Sequence, residues 1–309
     1  MKNVFFYLAT VLIWGSTWIG IKMQLGSVAP LTSVIYRFGL ASFLLFLWCS
    51  IARLNLRFSI RQHLFMATQG VLLFGVNYLL FYLAELHIAS GLAAVIFSTI
   101  LLMNVFNGAI FLSKQVDSRM IMAGTLGLLG IALVFRPEIT HFSLENHGLL
   151  GVVLCLSATM LASLGNITSA YNQKALELPI VQTNAYGMAY GTAVLFCVAL
   201  VTGTPFQFQW TVNYVGSLLY LAVFGSIIAF GCYLALLGRI GADRAAYATL
   251  LFPLVALVIS TFWEGYQWTL SAGFGVFLIL LGNSLMIYKP RGRIAIQTAP
   301  ITTGVVEKV

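Results

Sequence analysis

The sequence predicts an all-α integral membrane protein with ten transmembrane helices arranged as two inverted five-helix repeats. Three observations lead there: an apolar composition poor in charge, a lopsided distribution of basic residues, and a weak self-similarity between the halves. Of 309 residues, 60% are hydrophobic and only 8% are charged. A soluble domain carries about 25% charged residues, and a fold of this size leaves much of its surface facing water. Lipid solvates such a surface where water does not. The aromatic content of 14% suits helices that need interfacial anchors.

A helix needs about 20 mainly apolar residues to cross the hydrocarbon core. Ten such segments are expected, near residues 4–23, 31–52, 64–84, 89–112, 118–136, 149–171, 180–202, 214–237, 244–263 and 270–288. The first is read as a retained membrane helix and not as a cleaved signal. Its apolar run extends from Val4 to Ile21, and no convincing small-x-small cleavage site follows. The connections are short and leave no room for a soluble domain. The halves are therefore 1–145 and 146–290, with 291–309 as a polar cytoplasmic tail expected to be disordered.

With ten spans both termini share one side. Of the sixteen bases, all but Lys22, Arg136 and the intraspan Arg37 fall on that side. The positive-inside rule then places both termini in the cytoplasm. The net charge of +8 is not gathered into one basic segment, so no nucleic-acid partner is expected. The cysteines Cys49, Cys155, Cys197 and Cys232 lie in apolar runs without C-x-x-C spacing and read as small buried side chains. No metal or cofactor is expected.

The halves echo each other. Pro30 precedes Arg37 by seven residues and Pro179 precedes Tyr186 by seven, each pair opening a span. Phe74-Gly75 leads to Tyr82-Leu83-Ala84, and Phe224-Gly225 leads to Tyr233-Leu234-Ala235. Ala93-Ala94 and Ala245-Ala246 open the fourth and ninth spans, and glycines recur in the fifth (Gly124, Gly127, Gly130) and tenth (Gly273, Gly275, Gly282). Five spans per copy is odd, so the second copy enters the membrane from the other side. The repeats are then inverted, as in many secondary transporters.

Four features resemble the EamA-type ten-helix branch of the drug/metabolite transporter superfamily. They are Trp14-Gly15-Ser16-Thr17-Trp18 in the first span, Arg37-Phe38-Gly39 in the second, Pro253 with Glu264 in the ninth, and Gly273 to Gly282 in the tenth. The first repeat departs from the pattern with Leu101 to Met103 where a proline is expected, and with Lys114-Gln115 where a glutamate is usual. The resemblance spans about residues 4–290. It implies an inner-membrane exporter of amino acids, drugs or related metabolites. It also implies a central cavity lined by helices 1, 3, 4, 6, 8 and 9, with helices 5 and 10 outside it.

Ionisable groups deep in lipid are costly and mark function. Arg37 is the only charge clearly within a span. It is read either as a gate or partner of a substrate carboxylate, or as a structural tie. No carboxylate falls near mid-span; Glu85 and Glu264 sit at helix ends. A substrate that is neutral, zwitterionic or weakly anionic is therefore expected. Uncharged polar and aromatic residues at mid-depth either stitch helices together or line a wet cavity. Their joint occurrence favours a cavity, with Trp14, Trp18, Asn77, Tyr78, Tyr82, Asn104, Ser163 and Asn166 as the substrate-binding candidates and Pro253 as a hinge.

An enzyme is not expected, because His63, His87, His141 and His147 all lie at span ends or in connections and no H-E-x-x-H motif occurs. A channel would need a filter-like loop, and none is evident. The reading is a secondary transporter, a monomer or homodimer in the bacterial inner membrane, exporting amino acids or related amphipathic compounds by alternating access. The alternative is a proton-coupled multidrug exporter.

Overall fold

The computed structural model describes residues 2–24, 26, 28–88, 93, 96–136, 148–263 and 268–287; the side chains of 18, 19, 22, 256, 260, 263, 286 and 287 are not described. Glu264 and the tail 291–309 lie outside the described residues. Within them the chain is helical, with no strand.

The helices are α1 (Lys2–Lys22), α2 (Pro30–Ile51), α3 (Ile60–Ala84), α4 (Ile100–Leu112), α5 (Ser118–Val134), α6 (Gly148–Lys174), α7 (Ile180–Thr202), α8 (Val212–Ile240), α9 (the turn Ala242–Ala245, a 3₁₀ turn Ala246–Leu250, then Phe252–Trp263) and α10 (Leu270–Ile287). Six segments are long and apolar enough to cross a membrane: α2, α3, α6, α7, α8 and Ala242–Ile259 of α9. The apolar helices Ile96–Leu112, Ser118–Val134 and Leu270–Leu285 are shorter.

Local signals set several ends. Pro30 opens α2, where its missing N–H would have no helical partner anyway. Ser59 and Gln62 form a reciprocal capping box at the start of α3, and Asp117 and Thr211 cap α5 and α8. Gly203 ends α7 at φ 64°, a conformation glycine adopts without a Cβ clash.

α3 and α8 each contain a π-helical stretch, at Val71–Gly75 and Leu221–Ile228. Both stretches hold the Phe-Gly pair that the sequence comparison set in register. A π turn inserts a residue, shifts the hydrogen-bond ladder and re-aims the side chains that follow.

The packing repeats itself as well. In contact are α3 with α6, α4 with α6, α3 with α7, α2 with α7, and α5 with α10. Adding five to each number, and returning to α1 after α10, yields α8 with α1, α9 with α1, and α8 with α2, and leaves the last two pairs unchanged. Those contacts are present too. Glycines let the central pairs touch backbone to backbone. A Cβ on Gly70 of α3 would lie 2.0 Å from the Gly187 carbonyl oxygen of α7. One on Gly275 of α10 would lie 2.5 Å from the Gly130 carbonyl oxygen of α5. Close backbone approach of this kind takes the place of hydrophobic drive between helices in lipid.

Candidate functional site

A cavity lies among helices drawn from both ends of the chain. Its wall draws on α1, α2, α3, the segment leading into α4 and α4 itself, and on α6, α8 and α9. About 80 Å³ is open to the centres of water-sized molecules. That is room for several waters at roughly 10–15 Å³ each.

Trp14 of α1 anchors one side. Its Nε1 donates to the Gly225 carbonyl of α8 at 3.0 Å, within the π-helical stretch. Its ring meets Phe230 at 4.7 Å, Tyr233 at 5.0 Å and Phe252 at 5.2 Å between centroids. The result is an aromatic box from three helices with its polar edge already tied down.

Arg37 of α2 supplies a second element of the wall. It is 1% exposed. Its guanidinium lies 4.8 Å from the Tyr78 ring centroid and 5.1 Å from that of Phe38, and its Nε donates to Ser226 Oγ at 3.0 Å. Its Nη1 has no hydrogen-bond partner among the described residues. A buried cation with a free donor attracts an anionic or carbonyl oxygen.

α3 supplies Asn77, Tyr78, Tyr82 and Glu85. Tyr82 donates to Gln24 Oε1 at 3.1 Å, and the Asn77 Oδ1 is unpartnered. From α6, Asn166 donates to the Tyr233 hydroxyl at 3.1 Å, while its own Oδ1 is unpartnered. Apolar walls with a few unfilled hydrogen-bonding positions are the ordinary make-up of a small-molecule site.

The structure thus brings Trp14, Asn77, Tyr78, Tyr82, Asn166 and Arg37 to one cavity. It places Asn104 and Ser163 elsewhere. Asn104 donates to the Ala242 carbonyl at 3.3 Å and ties α4 to α9; Ser163 accepts from Asn107 at 2.8 Å and ties α6 to α4. The Trp18 side chain lies outside the described residues. Pro253 is the second residue of the Phe252–Trp263 helix. In a first turn its missing N–H costs nothing, and α9 changes from 3₁₀ to α geometry just before it, at Leu251.

Other wall residues were not singled out from the sequence: Glu85, Phe97, Phe230, Tyr233, Thr249 and Phe252. Two signals pointed to some of them. Tyr233 is the repeat counterpart of Tyr82, and Glu85 continues the Tyr78–Tyr82 face at helical spacing.

Polar contacts tie helix ends together at one end of the bundle. There Lys114, after α4, pairs with Asp243 at the start of α9. Arg239 of α8 donates to Asn3 of α1 at 3.4 Å, and Tyr247 donates to the Met120 carbonyl of α5 at 2.6 Å. None of these residues lines the cavity.

Comparison with known proteins agrees with this architecture. The model of the EamA-like transporter family matches residues 1–136 and 149–288. Protein PagO of Salmonella typhimurium is 23% identical, covering 91% of this chain and 93% of that protein. A probable amino-acid metabolite efflux pump of Escherichia coli is 24% identical, over 94% of this chain and 96% of the pump. The uncharacterized inner membrane transporter YedA of Escherichia coli is 28% identical, over 94% of each chain. A protein crystal structure superposes with a TM-score of 0.74 at 12% identity, covering 92% of this chain and 95% of that one; it shares the fold. The apolar helices and the family match over nearly the whole length make this an integral membrane protein, and the chain belongs to the EamA-like transporter family.

Proposed function

We propose that this chain is a secondary transporter that exports small amphipathic metabolites, amino acids among them, across the inner membrane by alternating access. The observation that carries the reading is the cavity itself. It takes its wall from both proposed halves of the chain. A site between two rocking bodies is what alternating access requires.

Several features support two inverted five-helix repeats spanning the membrane ten times. The packing pairs persist when five is added to each helix number, and the π stretches fall at matching positions. The two segments matched by the family model, 1–136 and 149–288, coincide with the proposed halves. The excess of bases beside the termini supports a cytoplasmic placement of the end that carries Lys114 and Asp243. One chain supplies the whole wall, so the unit works as a monomer or within a homodimer. The hinge proposed at Pro253 is the junction at Leu251, where α9 changes from 3₁₀ to α geometry.

The aromatic box suits an apolar side chain, and the Arg37 Nη1 suits a carboxylate. The relative named as an amino-acid metabolite efflux pump supports the same class. Counterflow of labelled phenylalanine into proteoliposomes tests this. Saturable counterflow is expected, and ohmic current or no movement of any amino acid would overturn it. Asn77→Ala should fold normally, because its carbonyl oxygen has no hydrogen-bond partner among the described residues. It should nevertheless lower counterflow about tenfold, the worth of one hydrogen bond of about 1.4 kcal/mol to substrate. An unchanged rate would remove Asn77 from the site.

A further inference from the structure

Glu85 follows Ala84 as the C-cap of α3, and the fold turns it into the cavity wall. Tyr78, Tyr82 and Glu85 stand four and three residues apart and so share one face. The same wall carries Ile21 of α1, and Phe97 and Ile100 at the start of the fourth span. Among the described residues, no hydrogen bond or ion pair reaches the Glu85 carboxyl. The titratable and charged groups facing this region are Tyr78 and Tyr82 on its own helix, Arg37 of α2, Cys155 of α6 and the nearby His87. The side chain of Lys22 in α1 is not described. Burial without a partner disfavours the ionised form and pushes the carboxyl up to about 7.

The cavity therefore holds one fixed cation, Arg37, and one acid, Glu85, and neither has an oppositely charged partner among the described residues. Tyr82 lies within electrostatic range of both. A molecule with an anionic end and an ammonium end would meet both needs. We infer that Glu85 is the cation site of this cavity, occupied in turn by the ammonium group of the substrate and by a proton. The inference rests on the transport reading above and deepens it. Substrate binding releases the proton to water on the side the cavity faces, and substrate release lets a proton return. The carboxylate that the sequence seemed to lack at mid-depth is thus supplied from a helix end.

Phenylalanine, phenethylamine and N-acetylphenylalanine share a ring and differ in charge: zwitterion, cation and anion. Their binding to the purified full-length chain and to Glu85→Gln is measured by calorimetry at pH 6 and pH 8. Phenylalanine should bind the wild type about tenfold tighter at pH 8, because a carboxyl near 7 must lose its proton while the ligand's own charges hardly change. At pH 8, Glu85→Gln should lose about tenfold in affinity for phenylalanine and phenethylamine. It should also lose the pH dependence and keep its affinity for N-acetylphenylalanine, which certifies its fold. Equal wild-type affinity at the two pH values overturns the inference without recourse to any variant. Undiminished phenylalanine and phenethylamine binding by Glu85→Gln overturns it too and leaves the transport reading standing. Loss of all three probes by a normally melting Glu85→Gln assigns the residue to cavity shape and likewise overturns it. Failure of all three probes on the wild type overturns the amino-acid reading itself.

Discussion

Gly70→Val should abolish the folded protein. Even the first added carbon would stand 2.0 Å from the Gly187 carbonyl oxygen, 2.7 Å from its carbonyl carbon and 2.8 Å from its Cα. These are backbone atoms and cannot swing aside as a side chain would. α3 and α7 would have to part by roughly 1.5 Å to restore an ordinary contact of roughly 3.5 Å. Parting them also breaks the neighbouring approach, where a Cβ on Gly191 would sit 2.8 Å from the Gly70 carbonyl oxygen. Overpacking a well-filled core costs about 1–3 kcal/mol when side chains can adjust, and more is expected when two backbones collide. Gly70→Ala should lower the melting temperature of purified protein sharply, and Gly70→Val should give no monodisperse peak on size-exclusion chromatography. Gly216→Ala is the matched control. It lies on an exposed face of α8 with nothing within 4 Å of the added carbon, and should be neutral or stabilising by up to about 1 kcal/mol. Similar melting shifts for Gly70→Ala and Gly216→Ala would refute the crossing.

Asp243→Ala and Lys114→Ala should each destabilise the protein, and the double change should cost less than the sum of the two. The two side chains pair where α4 and α9 approach each other, with 28% of Lys114 and 11% of Asp243 exposed. Gly241 makes room for them: at φ 96°, a Cβ there would meet both Lys114 Nζ and Asp243 Oδ1. Removing one partner strands the other charge. For a fully buried pair that costs about 3–5 kcal/mol. Partial exposure of this pair lowers the expectation to about 2 kcal/mol for each single change. Replacing both removes the stranded charge, so the double variant should lose less than the sum of the singles, with a coupling energy of at least about 1 kcal/mol. A thermal-melting cycle measures it. Additive losses would mean the pair contributes nothing as a pair.

Much of the architecture was legible because lipid is a harsh solvent. Apolar segments long enough to span it stand out from any sequence, and their layout together with Trp14-Gly15-Ser16-Thr17-Trp18, Arg37-Phe38-Gly39, Pro253 with Glu264, and Gly273 to Gly282 carried the resemblance to the family that matches. Helix ends were legible wherever a local signal acts within one turn, as at Pro30, Ser59 and Gly203.

The candidate site was legible where depth and residue type coincide. Trp14, Asn77, Tyr78, Tyr82, Asn166 and Arg37 were chosen as polar or aromatic groups at mid-depth, and the structure brings them together. Depth does not tell direction, however. Asn104 and Ser163 are as deep, yet they turn to neighbouring helices and bond there. Glu85 misled the reading in the other direction, because linear position marks it as a helix end while the cavity reaches that level. The π stretches at Val71–Gly75 and Leu221–Ile228 have no sequence signature of their own, although they decide where the residues after them point.

The sequence by itself therefore determined the solvent, the helices and the family, since each depends on composition and on local hydrogen bonding within a single segment. Only the tertiary structure decided which polar groups face one another across the two halves. That choice depends on helix rotation and on backbone crossings such as Gly70 on Gly187, which join residues more than a hundred positions apart.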